Sequence, residues 1–234
     1  MLTALLVSVL LLSVSSGADA HARWSCPAPR DPSTGIKTGP CGAQSGDFSG
    51  DMYEIQPGPM TLVFEESIAH AGAPFTISLS REGEDVYDVV LLAHIPHNDL
   101  NAPVYGVEST YTKTYITVEI PDVLCERCAL QLLNPMTDKL AGNGMESCIY
   151  DPDCSNCNNG KNCFSNYHSC ANVRINGTAV ARNDYVAPAQ SVDWPYAHLP
   201  TDEYFIGEVA NYTADNLWLL DVPKQFTTPI GPCV

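Results

Sequence analysis

The chain is short of positive charge. Its 234 residues carry 11 Lys and Arg against 27 Asp and Glu, a formal net charge of -16. So acidic a chain offers no basic face to nucleic acid and is repelled by anionic membranes. The same argument counts against a polyanionic glycan as substrate and permits a neutral polysaccharide. Long apolar runs are also scarce. The strongest, Leu5-Leu-Val-Ser-Val-Leu-Leu-Leu12, is too short to span a bilayer comfortably, and nothing later resembles a transmembrane helix. The C-terminus Thr228-Pro-Ile-Gly-Pro-Cys-Val234 carries no lipid-anchor signal. No segment has sustained helical periodicity, and there is no internal repeat, nucleophile motif or phosphate-binding loop. Asp and Glu are plentiful, yet no pair stands in a context that singles it out for glycoside hydrolysis.

What is present begins at the N-terminus. Residues 1–20 read as a signal peptide: the apolar core is followed by small residues and Ala18-Asp-Ala20, a small-x-small cleavage signal, although no Lys or Arg precedes the core. Cleavage there makes His21 the first residue of a secreted, extracellular protein. All ten cysteines follow this point, which suggests up to five disulfides in an oxidising compartment. Asn176-Gly-Thr178 and Asn211-Tyr-Thr213 are glycosylation acceptors consistent with secretion.

The remaining apolar runs are short, often alternating, and separated by Gly, Pro, Asn and Asp. Residues 60–64, 75–79, 86–93, 114–120, 128–133 and 169–175 read as strands. The expectation is an all-β protein, an immunoglobulin/fibronectin-III-like β-sandwich with long disulfide-stapled loops. Residues 21–179 would form the sandwich domain and 180–234 a C-terminal extension carrying Trp194, Trp218 and Cys233. Residues 142–166 hold Cys148, Cys154, Cys157 and Cys163 and read as a disulfide-stapled loop. The rival is a zinc-binding knuckle, which secretion disfavours.

A histidine at a free N-terminus differs from any other: its α-amine and imidazole reach one metal ion together. Pro27 and Pro29 stiffen the arm that leaves it. A second imidazole would complete a three-nitrogen site, and the candidates are His70, His94, His97, His168 and His198. His70 lies in a turn between two expected strands, while His94 and His97 form a competing His-x-x-His pair.

Four segments, in order, carry a resemblance: His21-Ala-Arg with Pro-Ala-Pro-Arg30, Glu66-Ser-Ile-Ala-His70-Ala-Gly-Ala-Pro-Phe-Thr-Ile-Ser-Leu79, Cys125-Glu-Arg-Cys-Ala-Leu-Gln-Leu132, and Asn166-Tyr-His-Ser-Cys-Ala-Asn-Val-Arg-Ile175. Together they resemble lytic polysaccharide monooxygenases of the chitin-binding type-4 kind, closest to auxiliary activity families ten and fifteen. The resemblance implies copper held by His21 and His70, with Tyr167 as the axial aromatic and Phe164 competing for that role. It also implies oxidative cleavage of glycosidic bonds in insoluble chitin or cellulose at C1 or C4, an external electron donor, and a monomeric protein. Glu65, Glu66 and Gln131 are candidates for positioning oxygen species beside the metal. Trp24 is a candidate for stacking on a sugar at the substrate face. Two departures stand out: Asn172 replaces a frequent Asp, and Ala71-Gly72 a frequent Pro-Gly. Three nitrogen donors suit copper, which tops the affinity order for such ligands. The terminal amine, with an ordinary pKa of about 7.7–8.0, gives up its proton to a metal near neutral pH. The alternatives are a non-catalytic copper-binding protein and a polysaccharide-binding protein without the oxidative reaction.

Overall fold

The structure is a computed structural model that describes residues 22–68, 75–95, 102–135, 166–188 and 231–233. Nine strands carry it: β1 Ala22–Cys26, β2 Tyr53–Ile55, β3 Gly58–Glu66, β4 Phe75–Arg81, β5 Glu84–Ile95, β6 Thr112–Ile120, β7 Val123–Pro135, β8 Asn166–Asn176 and β9 Val180–Ala181. The only helices among the described residues are short 3-10 turns, so the all-β expectation holds. Each of the six expected strands lies inside an observed one. β1, β2 and β9 were not expected, because two to five residues are too few to display a period of two.

One sheet runs β1-β3-β6. The other, six-stranded, runs β2-β8-β7-β4-β5 with β9 alongside β7. Alternation decides which face of each strand is apolar. In β3, Leu62 and Phe64 turn inward; in β7, Leu130 and Leu132; in β8, Ala171, Val173 and Ile175. With Trp24, Phe75, Ile77, Leu79 and Ile116 they fill the space between the sheets. Each large side chain so buried contributes about 1.5–3 kcal/mol relative to exposure. Phe64 and Phe75 meet across the two sheets with ring centroids 4.4 Å apart.

Residues 30–44 cover the outer side of β8. The Arg30 N–H donates to the Cys170 carbonyl at 2.7 Å and the His168 N–H to the Ile36 carbonyl at 2.9 Å, extending the edge that β2 pairs further along. A Cys41–Cys170 disulfide fastens the segment. Beneath it, Arg30 and Asp85 form a 2.8 Å ion pair with both side chains almost wholly buried. Arg30 Nε donates to Asn172 Oδ1 at 2.6 Å, and the Tyr87 hydroxyl donates to Asp85 at 2.9 Å. A second disulfide, Cys125–Cys128, spans the register shift in β7 where the strand bulges.

Residues 180–182 also pack against the six-stranded sheet. β9 pairs with β7, and the Arg182 side chain, 1% exposed, donates to the Asp88 carboxylate and the Leu79 carbonyl. A third disulfide joins Cys233 to Cys26 at the end of β1, across a sequence separation of 207 residues. Cys148, Cys154, Cys157 and Cys163, whose pairing was at issue, lie outside the described residues.

Candidate functional site

The register of the three-stranded sheet defines one end of the sandwich. Ala22, the residue after His21, pairs with Glu66, and Glu66 pairs with Thr112. The start of β1, the exit of β3 and the start of β6 therefore share one row. The other sheet contributes to the same end, because Phe75 at the start of β4 meets Phe64 near the exit of β3. There Thr76 pairs with Leu133, Leu133 with His168, and Asn134 with Tyr167.

Thr34 ties this end together. Its carbonyl accepts the Ala22 N–H at 3.2 Å, and its hydroxyl oxygen accepts from Ser67 Oγ at 3.1 Å. Both side chains are buried. One threonine thus holds the first described residue of β1 and the residue that follows β3, three positions before His70. Nothing in the sequence marked Thr34 or Ser67, since each is an ordinary hydroxyl residue until the fold pairs them. On the inner side, the Trp24 N–H donates to Ser169 Oγ at 3.0 Å, which fixes β1 against β8.

The residues singled out in the sequence fall into different places. His21 and His70 lie outside the described residues, as do His97, His198 and Phe164; His94 belongs to β5, within Glu84–Ile95. Among the described residues, no group of three or more His, Cys, Asp or Glu side chains is arranged to hold a metal. Glu66 is 1% exposed and, by alternation with Leu62 and Phe64, faces the interior at the row shared with Ala22. Its neighbour Glu65 faces outward and receives Arg23, with Nη2 at 2.6 Å. Burial works against the charge of Arg23, but Glu65 and Glu108 outweigh it and hold that pKa above its usual value. Tyr167 is buried in β8 two residues before Ser169, on the same side of the strand, with Lys37 Nζ 5.4 Å from its ring centre.

Trp24 is not placed for the role first considered for it. Trp24 is 0% exposed, and its Nε1–H donates to the Leu130 carbonyl at 3.1 Å inside the core. A side chain enclosed in this way presents no ring to a substrate. Gln131 pairs with Cys170 and donates from Nε2 to the Pro40 carbonyl at 2.9 Å, under the covering segment and on the face of its sheet opposite Leu130 and Leu132. Asn172, the departure from the frequent Asp, is occupied in holding Arg30.

His168 is also on this outer face. A Cβ on Gly39 would come within 3.1 Å of its Cε1, a tight contact that would need the ring to shift by a few tenths of an ångström. Its Nδ1 is buried with no hydrogen-bond partner. Desolvation alone lowers its pKa to about 4, which keeps the ring neutral. It points away from Ser169 and β1, and so does not share the face on which Tyr167 lies.

Known proteins offer little to set beside this geometry. No protein-family model and no curated protein sequence matches the chain. Among solved structures, it is similar to a lytic polysaccharide monooxygenase important for efficient utilization of chitin in Cellvibrio japonicus. The identity is 12% and the TM-score 0.28, over 56% of this chain and 58% of that one.

Proposed function

We propose that this protein is a secreted copper-dependent monooxygenase that cleaves chitin or cellulose oxidatively, with His21 and His70 as the copper ligands. The observation that carries this reading is the pairing of Ala22 with Glu66, reinforced by Thr34, which bonds to both Ala22 and Ser67. That register starts β1 beside the strand exit that leads to His70. The donor set fits copper chemically: one amine and two imidazoles are all nitrogen, and imidazole serves both oxidation states.

In this reading, His21 contributes its α-amine and imidazole and His70 its imidazole. When bound, copper would supply the redox chemistry that oxidises a sugar carbon at C1 or C4, with an external electron donor reducing the metal and dioxygen or hydrogen peroxide as the oxidant and source of the inserted oxygen. The protein contributes position. Thr34 and Trp24 fix β1, which begins immediately after His21, by hydrogen bonds from the Ala22 N–H to Thr34 and from Trp24 to β8 and β7. Tyr167 supplies a buried aromatic wall, and Glu66 a buried carboxylate one strand away from the terminal residue. A carboxylate so placed can hold a proton or orient a small polar oxidant. The net charge of -16 agrees with a neutral glycan.

The test is N-terminal sequencing of the secreted protein followed by copper titration and incubation with chitin and cellulose, with and without a reductant. The expected result is a mature chain that starts at His21, binds copper one to one, and releases oxidised oligosaccharides only when reduced. A mature chain starting at any other residue removes the chelate and ends the proposal. Tight copper binding without oxidised products would make the protein a copper carrier instead.

A further inference from the structure

Trp24 is enclosed in the core, so contact with a substrate must come from elsewhere. At the same end of the sandwich lies a hollow of about 420 Å³. Arg23, Thr34 and Gly35 line one part of it, and Tyr105, Gly106 and Tyr111 another. It adjoins the candidate site through shared residues: Arg23 lies two positions after His21, Thr34 fixes Ala22, and Tyr111 immediately precedes Thr112 in the row of Glu66. A volume of this size lies in the range of small-ligand sites.

Three features define what the hollow accepts. The first is charge. Arg23 Nη2 lies 2.6 Å from Glu65 and 2.9 Å from Glu108, so its cation is already matched and the hollow has no free positive charge for an anion. The second is the loop that builds it. Val104, Tyr105 and Val107 are exposed side by side, at 55%, 45% and 44%. The loop is nonetheless bonded to itself: the Val104 N–H donates to Thr110 Oγ1 at 2.8 Å, Val107 N–H to the Val104 carbonyl at 2.9 Å, and Gly106 N–H to the Tyr111 hydroxyl at 3.3 Å. A surface that holds apolar groups in water on a pre-ordered loop is built for contact, because little ordering entropy remains to be lost on binding. The third is the mixture of tyrosines with backbone and hydroxyl groups. A tyrosine face takes the C–H face of a pyranose, and the polar groups take its hydroxyls.

We infer that this hollow is a subsite for one neutral pyranose unit of the polysaccharide, with Tyr105 as its stacking platform. The inference rests on the function proposed above for its choice of ligand, but binding there requires no metal.

The experiment uses metal-free mature protein titrated with soluble chitohexaose and, separately, cellohexaose, for wild type, Tyr105→Ala and Tyr115→Ala. Tyr115 is the control: it is 44% exposed on β6 and does not line the hollow. Tyr105→Ala should raise the Kd for the preferred oligosaccharide about two- to tenfold, the range of an aromatic contact, with its melting temperature unchanged. Tyr115→Ala should leave the Kd where it was, and the stronger of the two ligands identifies the sugar. An unchanged Kd in Tyr105→Ala, an equal loss in Tyr115→Ala, or no binding of either hexasaccharide by the wild type overturns the inference. Copper titration and product analysis on the same preparations keep the two proposals apart. Normal copper binding and oxidised products with an unaltered Tyr105→Ala sink only the subsite. Tyr105-dependent binding without oxidised products sinks only the oxidative reading.

Discussion

Replacing Trp24 by alanine separates a structural from a substrate-contacting tryptophan. The side chain is 0% exposed, and its Nε1–H is bonded to the Leu130 carbonyl. Truncation removes the largest fully buried side chain among the described residues. Phe or Trp to Ala in a core costs about 3–5 kcal/mol through lost transfer energy and the cavity left behind. For a domain of about two hundred residues this lowers Tm by roughly 6–20 °C, at about 2–4 °C per kcal/mol. Trp24→Phe dissects the loss. It keeps most of the apolar volume but leaves the Leu130 carbonyl without its donor, a cost of about 1–3 kcal/mol. Thermal and urea unfolding with the disulfides intact should therefore rank wild type above Trp24→Phe and Trp24→Phe above Trp24→Ala. The reasoning fails if Trp24→Ala unfolds within about 1 kcal/mol of wild type, well below the cost of any fully buried tryptophan. Unchanged stability together with lost polysaccharide binding would restore Trp24 to the substrate face.

Three further outcomes follow from buried groups. Arg30→Ala leaves Asp85 buried without its cation and should cost about 3–5 kcal/mol by chemical denaturation, with Asp85→Asn and Arg30→Ala together less damaging than their sum. His168, held near a pKa of about 4 against an ordinary 6.5, is neutral in the folded protein over a range where the unfolded chain binds a proton. Its contribution is therefore fully present above pH 6.5 and lost as pH falls towards 4, on the order of 3 kcal/mol. Subtracting the stability profile of His168→Phe from that of the wild type should show this slope, and a flat difference would contradict it. A Cβ on Gly177 would lie 2.3 Å from the backbone nitrogen and oxygen of Val123, so Gly177→Ala should lower secreted yield and Tm sharply, whereas Gly46→Ala, with open space around its Cβ position, should pay only for its positive φ.

The sequence by itself determined the class of fold and the location of the core. Alternating runs such as 60–64 and 169–175 show their period without help from tertiary contacts, because burying one face of a strand requires it. The proposed role of His21 comes from the sequence alone, because it rests on cleavage after Ala20 and His21 lies outside the described residues. What the sequence left open are relations between distant segments. That Ala22 pairs with Glu66, that Thr34 holds both Ala22 and Ser67, and that Cys26 joins Cys233 across 207 residues are consequences of sheet order and register. Trp24 and Gln131 show the same limit. An aromatic near the terminus and an amide on a strand carry no mark of which face they occupy until the neighbouring strand and the covering segment are in place. The tertiary structure alone decided that Trp24 is enclosed while Tyr105 stands in solvent. Trp24 is enclosed because its strand packs it between the two sheets, whereas Tyr105 lies in the loop before β6 and is 45% exposed.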